Sequence, residues 1–168
     1  MIPIFNPPIF VILIHNKIEA MIDLLYAVSA GILGIFAGAQ IAEGVLFVPY
    51  WKLLEPSKFF QLHKTFGKKI YQFFAPLTII ATLIPIGTAI IAVIQLAKNW
   101  EYAALMALFT LGFFSTYFLF FKAANLQFSE ASISNKELPK ALDKWGKWHW
   151  ARIYLEIIAL VFALLALI

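Results

Sequence analysis

The chain has 168 residues, of which 62% are hydrophobic, 17% aromatic and only 13% charged. A soluble domain is nearer half apolar, so this composition points to an all-α polytopic membrane protein, and the lack of short alternating segments argues against a β-barrel. The net charge is +4 and there are no cysteines, which excludes disulfides, thiolate metal ligands and cysteine nucleophiles. The lysines cluster in the connections, which in a membrane protein speaks of orientation and gives no reason to expect nucleic acid as a partner.

Residues 1–20 read as an N-terminal interfacial arm ahead of a 21–168 membrane domain. The apolar run at 2–14 is too short to span, and Pro3, Pro7 and Pro8 oppose a continuous helix. No basic region or small-residue cleavage site marks a signal peptide. The first spanning segment is expected at 23–50. Ala30, Gly34, Gly38 and Ala42 recur every four residues, a stripe that lets another helix approach closely. Glu43 lies about two turns inside the end of this segment. A central acid costs roughly 2.5–3.5 kcal/mol on insertion scales, so it needs a partner or a function.

Residues 51–70 are expected to connect the first two segments through a short amphipathic helix lying in the membrane interface. Phe59, His63, Phe66 and Ile70 share one face of it, and Lys64 and Lys68 the other. Segment two is expected at 71–97, kinked near Pro85, with Thr78, Thr82 and Thr88 available to satisfy carbonyls freed by proline. Segment three follows at 101–122 and runs into Asn125. A polar loop at 126–143 leads to segment four at 145–168. The 51–70 and 123–144 connections hold most of the lysines, while the turn near 98–101 holds only Lys98 beside Glu101. The positive-inside rule makes both basic connections cytoplasmic and both termini external, in what would be a bacterial plasma membrane.

Segment four opens on Trp145-Gly-Lys-Trp-His-Trp-Ala-Arg152. At helical spacing Trp145, His149, Arg152 and Glu156 fall on one stripe. Arg152 is the one arginine of the chain. With the expected topology, Glu43, His63, Asn125, His149, Arg152 and Glu156 all reach one depth near the cytoplasmic headgroups.

At these residues the chain resembles the anthrone-oxygenase-like membrane proteins. The likeness covers roughly residues 27–168: four membrane segments, His63 in the first inner connection, Asn125 after segment three, and the final Trp-x-x-Trp-His-Trp-Ala-Arg. Such proteins often carry Pro-x-Asn where this chain has Ala-Ala-Asn. The resemblance implies use of dioxygen on polycyclic anthrones without an added cofactor. In that reading His149 is the favoured base, with His63 as the other candidate. Arg152 stabilises the developing anion, Glu43 orients a histidine or pairs with Arg152, and Asn125, Trp145 and Glu156 contact the substrate.

Two other readings stay open. His63, His149 and either Glu43 or Glu156 offer a ligand set used by zinc and non-haem iron, although no H-x-x-H or E-x-x-H spacing is present. The buried polar residues would equally serve a non-enzymatic binding or transport subunit. The expected partners are the bilayer, a lipophilic small molecule and dioxygen, and a homo-oligomer is compatible with this pattern.

Overall fold

A computed structural model describes residues 9–168, apart from the side chains of residues 11 and 12. All of its regular elements are helical. Helix α1, Ile9–Ala42, passes through a π-helical turn, Glu43–Phe47, into α2, Val48–Leu53. Helix α3 is Pro56–Ile94. Helix α4, Trp100–Thr116, passes through a second π-helical turn, Tyr117–Phe121, into α5, Lys122–Ser129. Helix α6 is Leu138–Ala166. The result is four rods in an antiparallel bundle. Going round the ring, α1 packs on α3, α3 on α4, α4 on α6, and α6 back on α1.

All four rods are long and apolar enough to cross a membrane. They also overshoot it. The rod Leu13–Leu53 has 41 residues and α3 has 39, which at 1.5 Å per residue is about 60 Å, against a hydrocarbon core of about 30 Å. A layer of that thickness would therefore take up only about half of each of these two rods.

Several expected boundaries change. The arm at 1–20 is not separate where it is described: residues 9–20 already belong to α1. Residues 1–8 lie outside the described residues. There is no interfacial helix between the first two rods. Their connection is only Leu54 and Glu55, and residues 57–69 are the opening turns of α3. Pro56 starts that helix at a position where its missing N–H costs nothing.

The expected face of that stretch is also corrected. Phe59 is fully buried, but Phe66 is 46% exposed and carries the Lys69 ammonium 5.5 Å from its ring. Helix α3 continues through both Pro76 and Pro85. The Thr78 and Thr82 hydroxyls donate to the carbonyls of Phe74 and Thr78. Those are not the carbonyls of Gln72 and Ala81 that a proline four residues on would free. The third connection shrinks to residues 130–137, and α6 begins seven residues earlier than the expected 145, with Pro139 in its first turn.

Two cores divide the bundle. Toward the 95–99 turn the packing is dominated by small residues: Ala30, Ala81, Ala89, Ala92, Ala103, Ala159 and Ala163, with Leu33, Phe36, Met106 and Phe113 filling between them. Toward the lysine-rich end it is aromatic: Trp51, Phe59, Phe121, Phe128 and Trp145.

Candidate functional site

The aromatic half encloses a cavity of about 720 Å³. Its inner wall carries Gln40, Glu43, His63 and Arg152, set among Trp51, Phe121, Phe128 and Trp145. Its rim, between α3 and the α4–α5 rod, includes Tyr71, Ile79, Phe118 and Leu126. These four side chains are exposed on the outside of the bundle. The cavity therefore opens sideways, through the surface that apolar solvent would cover. Lys68, Lys122, Asn125 and Ser129 lie at its lysine-rich end.

Both π-helical turns border this cavity. A π turn adds one residue to a helical turn, and such bulges gather at functional sites. In the first, the Val48 N–H reaches back five residues to the Glu43 carbonyl. The wider turn keeps Glu43 and Gly44 both buried. In the second, the Lys122 N–H reaches the Tyr117 carbonyl. Just before it, the Phe113 carbonyl accepts from the Thr116 hydroxyl at 2.5 Å. In an unbroken α-helix that carbonyl would take the Tyr117 N–H, which here turns to Phe114 and Ser115. The sequence carried a signal for this turn in the Ser115-Thr116 pair, since such hydroxyls compete for backbone carbonyls.

Arg152 is the centre of the polar wall. Its side chain is 13% exposed. One guanidinium nitrogen, Nη2, donates to Gln40 Oε1 at 2.5 Å and to His149 Nδ1 at 2.9 Å. The Phe121 ring lies beneath the guanidinium carbon at 4.2 Å, in cation–π range. Glu43 Oε2 stands 3.8 Å from Nη2, a charge contact too long for a hydrogen bond. The other terminal nitrogen, Nη1, has no hydrogen-bond partner among the described residues.

The hydrogen-bond pattern fixes the state of His149. A guanidinium can only donate and a carbonyl can only accept. His149 Nδ1 therefore accepts from Arg152, and Nε2 carries the hydrogen that it donates to the Gln40 carbonyl at 2.9 Å. The ring is neutral and both nitrogens are committed. Its 3.8 Å approach to Glu43 is then no ion pair, since Nδ1 holds no proton. The ring is 0% exposed and stacks on Trp145 at 4.9 Å between centroids. Gly44 makes room for it: a Cβ there would come within 3.1–3.2 Å of the imidazole.

His63 is arranged differently. Its Nδ1 lies 3.1 Å from the Phe59 carbonyl, so Nδ1 carries the hydrogen and donates it. Nε2 is left with its lone pair and no partner among the described residues. The ring packs against Phe59 at 4.1 Å and Trp51 at 5.2 Å. Trp51 in turn meets Trp145 at 5.5 Å. The indole N–H of Trp145 donates to Asn125 Oδ1 at 2.9 Å, which turns the amide of Asn125 into a second donor for the cavity mouth.

Of the expected site residues, Glu43, His63, Asn125, Trp145 and Arg152 line the cavity. His149 does not: it stands behind Trp145 and Arg152, fully enclosed. The expectation that His149 is the base is corrected on this geometry, because its one lone pair already accepts from Arg152. Glu156 also lies off the cavity, one helical turn beyond Arg152 and 0% exposed, where it cannot touch a ligand in the cavity. Gln40, Trp51 and Phe121 are wall residues that sequence reasoning missed. Among the described residues no three His, Asp or Glu side chains form a group that could hold a metal ion, and the Nδ1 lone pair of His149 accepts from Arg152.

A second, shallower groove of about 580 Å³ lies across Gly44 from the cavity, between α2 and α6. Its polar feature is an exposed Lys52–Asp143 pair at 2.7 Å. Comparisons with family models, with curated proteins and with solved structures give no match to this chain.

Proposed function

We propose that this chain is a membrane-embedded oxygenase that takes a lipophilic, ring-bearing carbon acid from the bilayer and oxidises it with dioxygen. The observation that carries the reading is the pairing, on the wall of one aromatic cavity, of an imidazole with an uncommitted lone pair and a guanidinium with an uncommitted edge. His63 Nε2 is the base. Arg152 Nη1 receives the oxygen on which charge develops, and its other side is already held by Gln40 and His149, so little reorganisation accompanies the reaction. Trp51, Trp145 and Phe121 supply faces for a planar substrate.

On an anthrone-like substrate the balance is simple. His63 takes one proton from the ring CH₂, and the resulting enolate lies on Arg152. Dioxygen adds at that carbon. The second hydrogen then leaves, the O–O bond breaks, and the carbon becomes a carbonyl. Overall, CH₂ plus O₂ gives C=O plus H₂O, with the four electrons lost by carbon taken up by the two oxygen atoms. No added cofactor is needed for that stoichiometry.

Oxygen uptake by the purified protein with 1,8-dihydroxyanthrone, above the spontaneous rate, tests this. Base catalysis of this kind contributes typically 10²–10⁴-fold. His63→Gln should lower kcat by about that factor while substrate binding persists, and His149→Gln should act mainly on stability. A wild-type rate equal to the spontaneous one would reject the oxygenase.

The sideways opening also suits a non-enzymatic carrier of lipophilic acids. That reading predicts tight binding without oxygen uptake, and no effect of His63→Gln on affinity. For orientation we propose that the 54–55 turn and the 130–137 loop are cytoplasmic, on the lysine asymmetry of the sequence. Reporter fusions at 55, 99 and 134 should read inside, outside, inside, and a cytoplasmic readout at 99 would reverse the assignment.

A further inference from the structure

Glu156 is the buried group that the proposed reaction does not use. It is 0% exposed, and neither of its carboxyl oxygens has a hydrogen-bond partner among the described residues. It sits on α6 one turn beyond Arg152, within a bundle whose other buried polar groups are few. The elements packed on α6 at these levels are α1 and α4. From α1 come Gln40 and Glu43. Among the described residues, the buried polar side chains of α4 are Thr110 and Thr116. Helix α6 itself adds His149 and Arg152.

A charge count over this cluster leaves a surplus. His149 is neutral, because its Nδ1 accepts from Arg152. Arg152 is the one cation and Glu43 its counter-ion at 3.8 Å. No Arg152 nitrogen comes within ion-pair distance of Glu156, and Arg152 Nε, which is also buried, has no partner at all. An ionised Glu156 would be a second carboxylate with no donor and no cation of its own. Burying such a charge costs several kcal/mol after relaxation. The un-ionised acid leaves a hydroxyl and a carbonyl unpaired, and two unpaired neutral groups cost less to bury than a bare charge.

We propose that Glu43, Arg152 and Glu156 form a one-proton store, with the proton resident on Glu156, and that an acidic ligand enters the cavity together with a proton. The second half comes from the same count. A ligand anion on Arg152 Nη1 would put two negative charges, its own and that of Glu43 at Nη2, against the single cation. The cluster returns to balance when Glu43 takes the proton that the ligand brought in. This step rests on the cavity being a ligand site, and not on oxygenation.

Infrared spectroscopy of the unliganded protein in lipid vesicles tests the store without any ligand. A carbonyl stretch of an un-ionised, hydrogen-exchange-protected carboxylic acid should be present at pH 7. It should vanish in Glu156→Gln, and in Glu43→Gln it should weaken or disappear, because Glu156 is then the one carboxyl left to balance Arg152. Glu156→Gln should also melt at the wild-type temperature, because the amide copies the neutral acid in charge and shape. A wild-type spectrum without the band, a band that survives Glu156→Gln, or a collapse of the melting temperature in that variant would each overturn the store.

Quenching of Trp51 and Trp145 fluorescence by anthracene-9-carboxylate tests the coupled uptake. One proton per ligand weakens Kd about tenfold per pH unit between pH 7 and 8. His63 on the cavity wall and Lys68 and Lys122 at its lysine-rich end also line the cavity, so the same slope should hold in His63→Gln. A pH-independent Kd would overturn the coupling and leave the cavity as a ligand site. Quenching by neither the carboxylate nor neutral 9-methylanthracene would remove the cavity reading itself.

Discussion

The two halves of the bundle use opposite packing. In the half near the 95–99 turn, alanines at the helix crossings draw the backbones together, and the buried polar pair there, Ser29 to Thr88 at 3.0 Å, closes on itself. In the lysine-rich half, tryptophan and phenylalanine hold the rods apart, both π turns occur, and the polar side chains leave donor and acceptor positions open. Small residues make a bundle by close approach, and large ones make a site by preventing it. The two halves meet at Phe74 and Phe114, which pack on the alanine core and also line the cavity.

Five substitutions break or sharpen this contrast. The largest effect is expected for Arg152→Ala, which strands Glu43 and leaves Gln40 and His149 without their shared donor. Removing one partner of a buried pair costs about 3–5 kcal/mol, and thermal melting in detergent should show that loss. A change of under 1 kcal/mol would mean that the polar wall is not part of the folded framework.

Next is Ala159→Leu, in the alanine half. Ala159 is fully buried, and overpacking costs about 1–3 kcal/mol. Ligand quenching of the cavity tryptophans should stay at the wild-type level in this variant once it is folded. Altered quenching would show that the two halves are coupled. Smaller again is Gly44→Ala, at about 1 kcal/mol, because the new Cβ meets the enclosed His149 ring at 3.1–3.2 Å. Gly34→Ala on the same helix meets nothing within 4 Å and should change the melting curve by no more than about 0.5 kcal/mol. Equal effects at the two glycines would contradict the fixed placement of His149. The smallest effect belongs to Asp143→Ala. Its partner Lys52 is 40% exposed and Asp143 63%, and surface pairs of this kind are worth about 0–1 kcal/mol, which should disappear in high salt.

Sequence periodicity revealed one half better than the other. The spanning segments and the depth shared by Glu43, His63, Asn125 and Arg152 emerged from hydropathy and helical spacing, but the stripe of Ala30, Gly34, Gly38 and Ala42 does not mark a helix crossing: Gly38 and Ala42 are exposed, and a Cβ at Gly34 or Gly38 would meet nothing within 4 Å. The roles of the two histidines did not emerge from spacing. His63 and His149 are equivalent as letters, and only the donors and acceptors around each ring show which keeps a lone pair. The π turns were hidden for a related reason. One added residue shifts every later position on the helix, and an unbroken 3.6-residue period drawn through Glu43 or Tyr117 misplaces the side chains beyond it. The length of α3 was misjudged because a stretch of lysines alternating with aromatics reads as an interfacial helix, whereas packing on Trp51 and Phe128 extends it upright into the long rod.

The sideways mouth of the cavity alters what concentration means for this protein. A ligand that dissolves in hydrocarbon is presented to the rim at its two-dimensional density in the bilayer, not at its level in the aqueous phase, and dioxygen too is enriched there. In the proposed oxygenation, adding lipid at constant total ligand would dilute the reactant and slow the reaction, though nothing in the surrounding water had changed. Selectivity would then begin before any contact with the wall. Compounds are sorted first by how they partition, next by the depth at which they settle, and only then by the faces and edges that meet them inside.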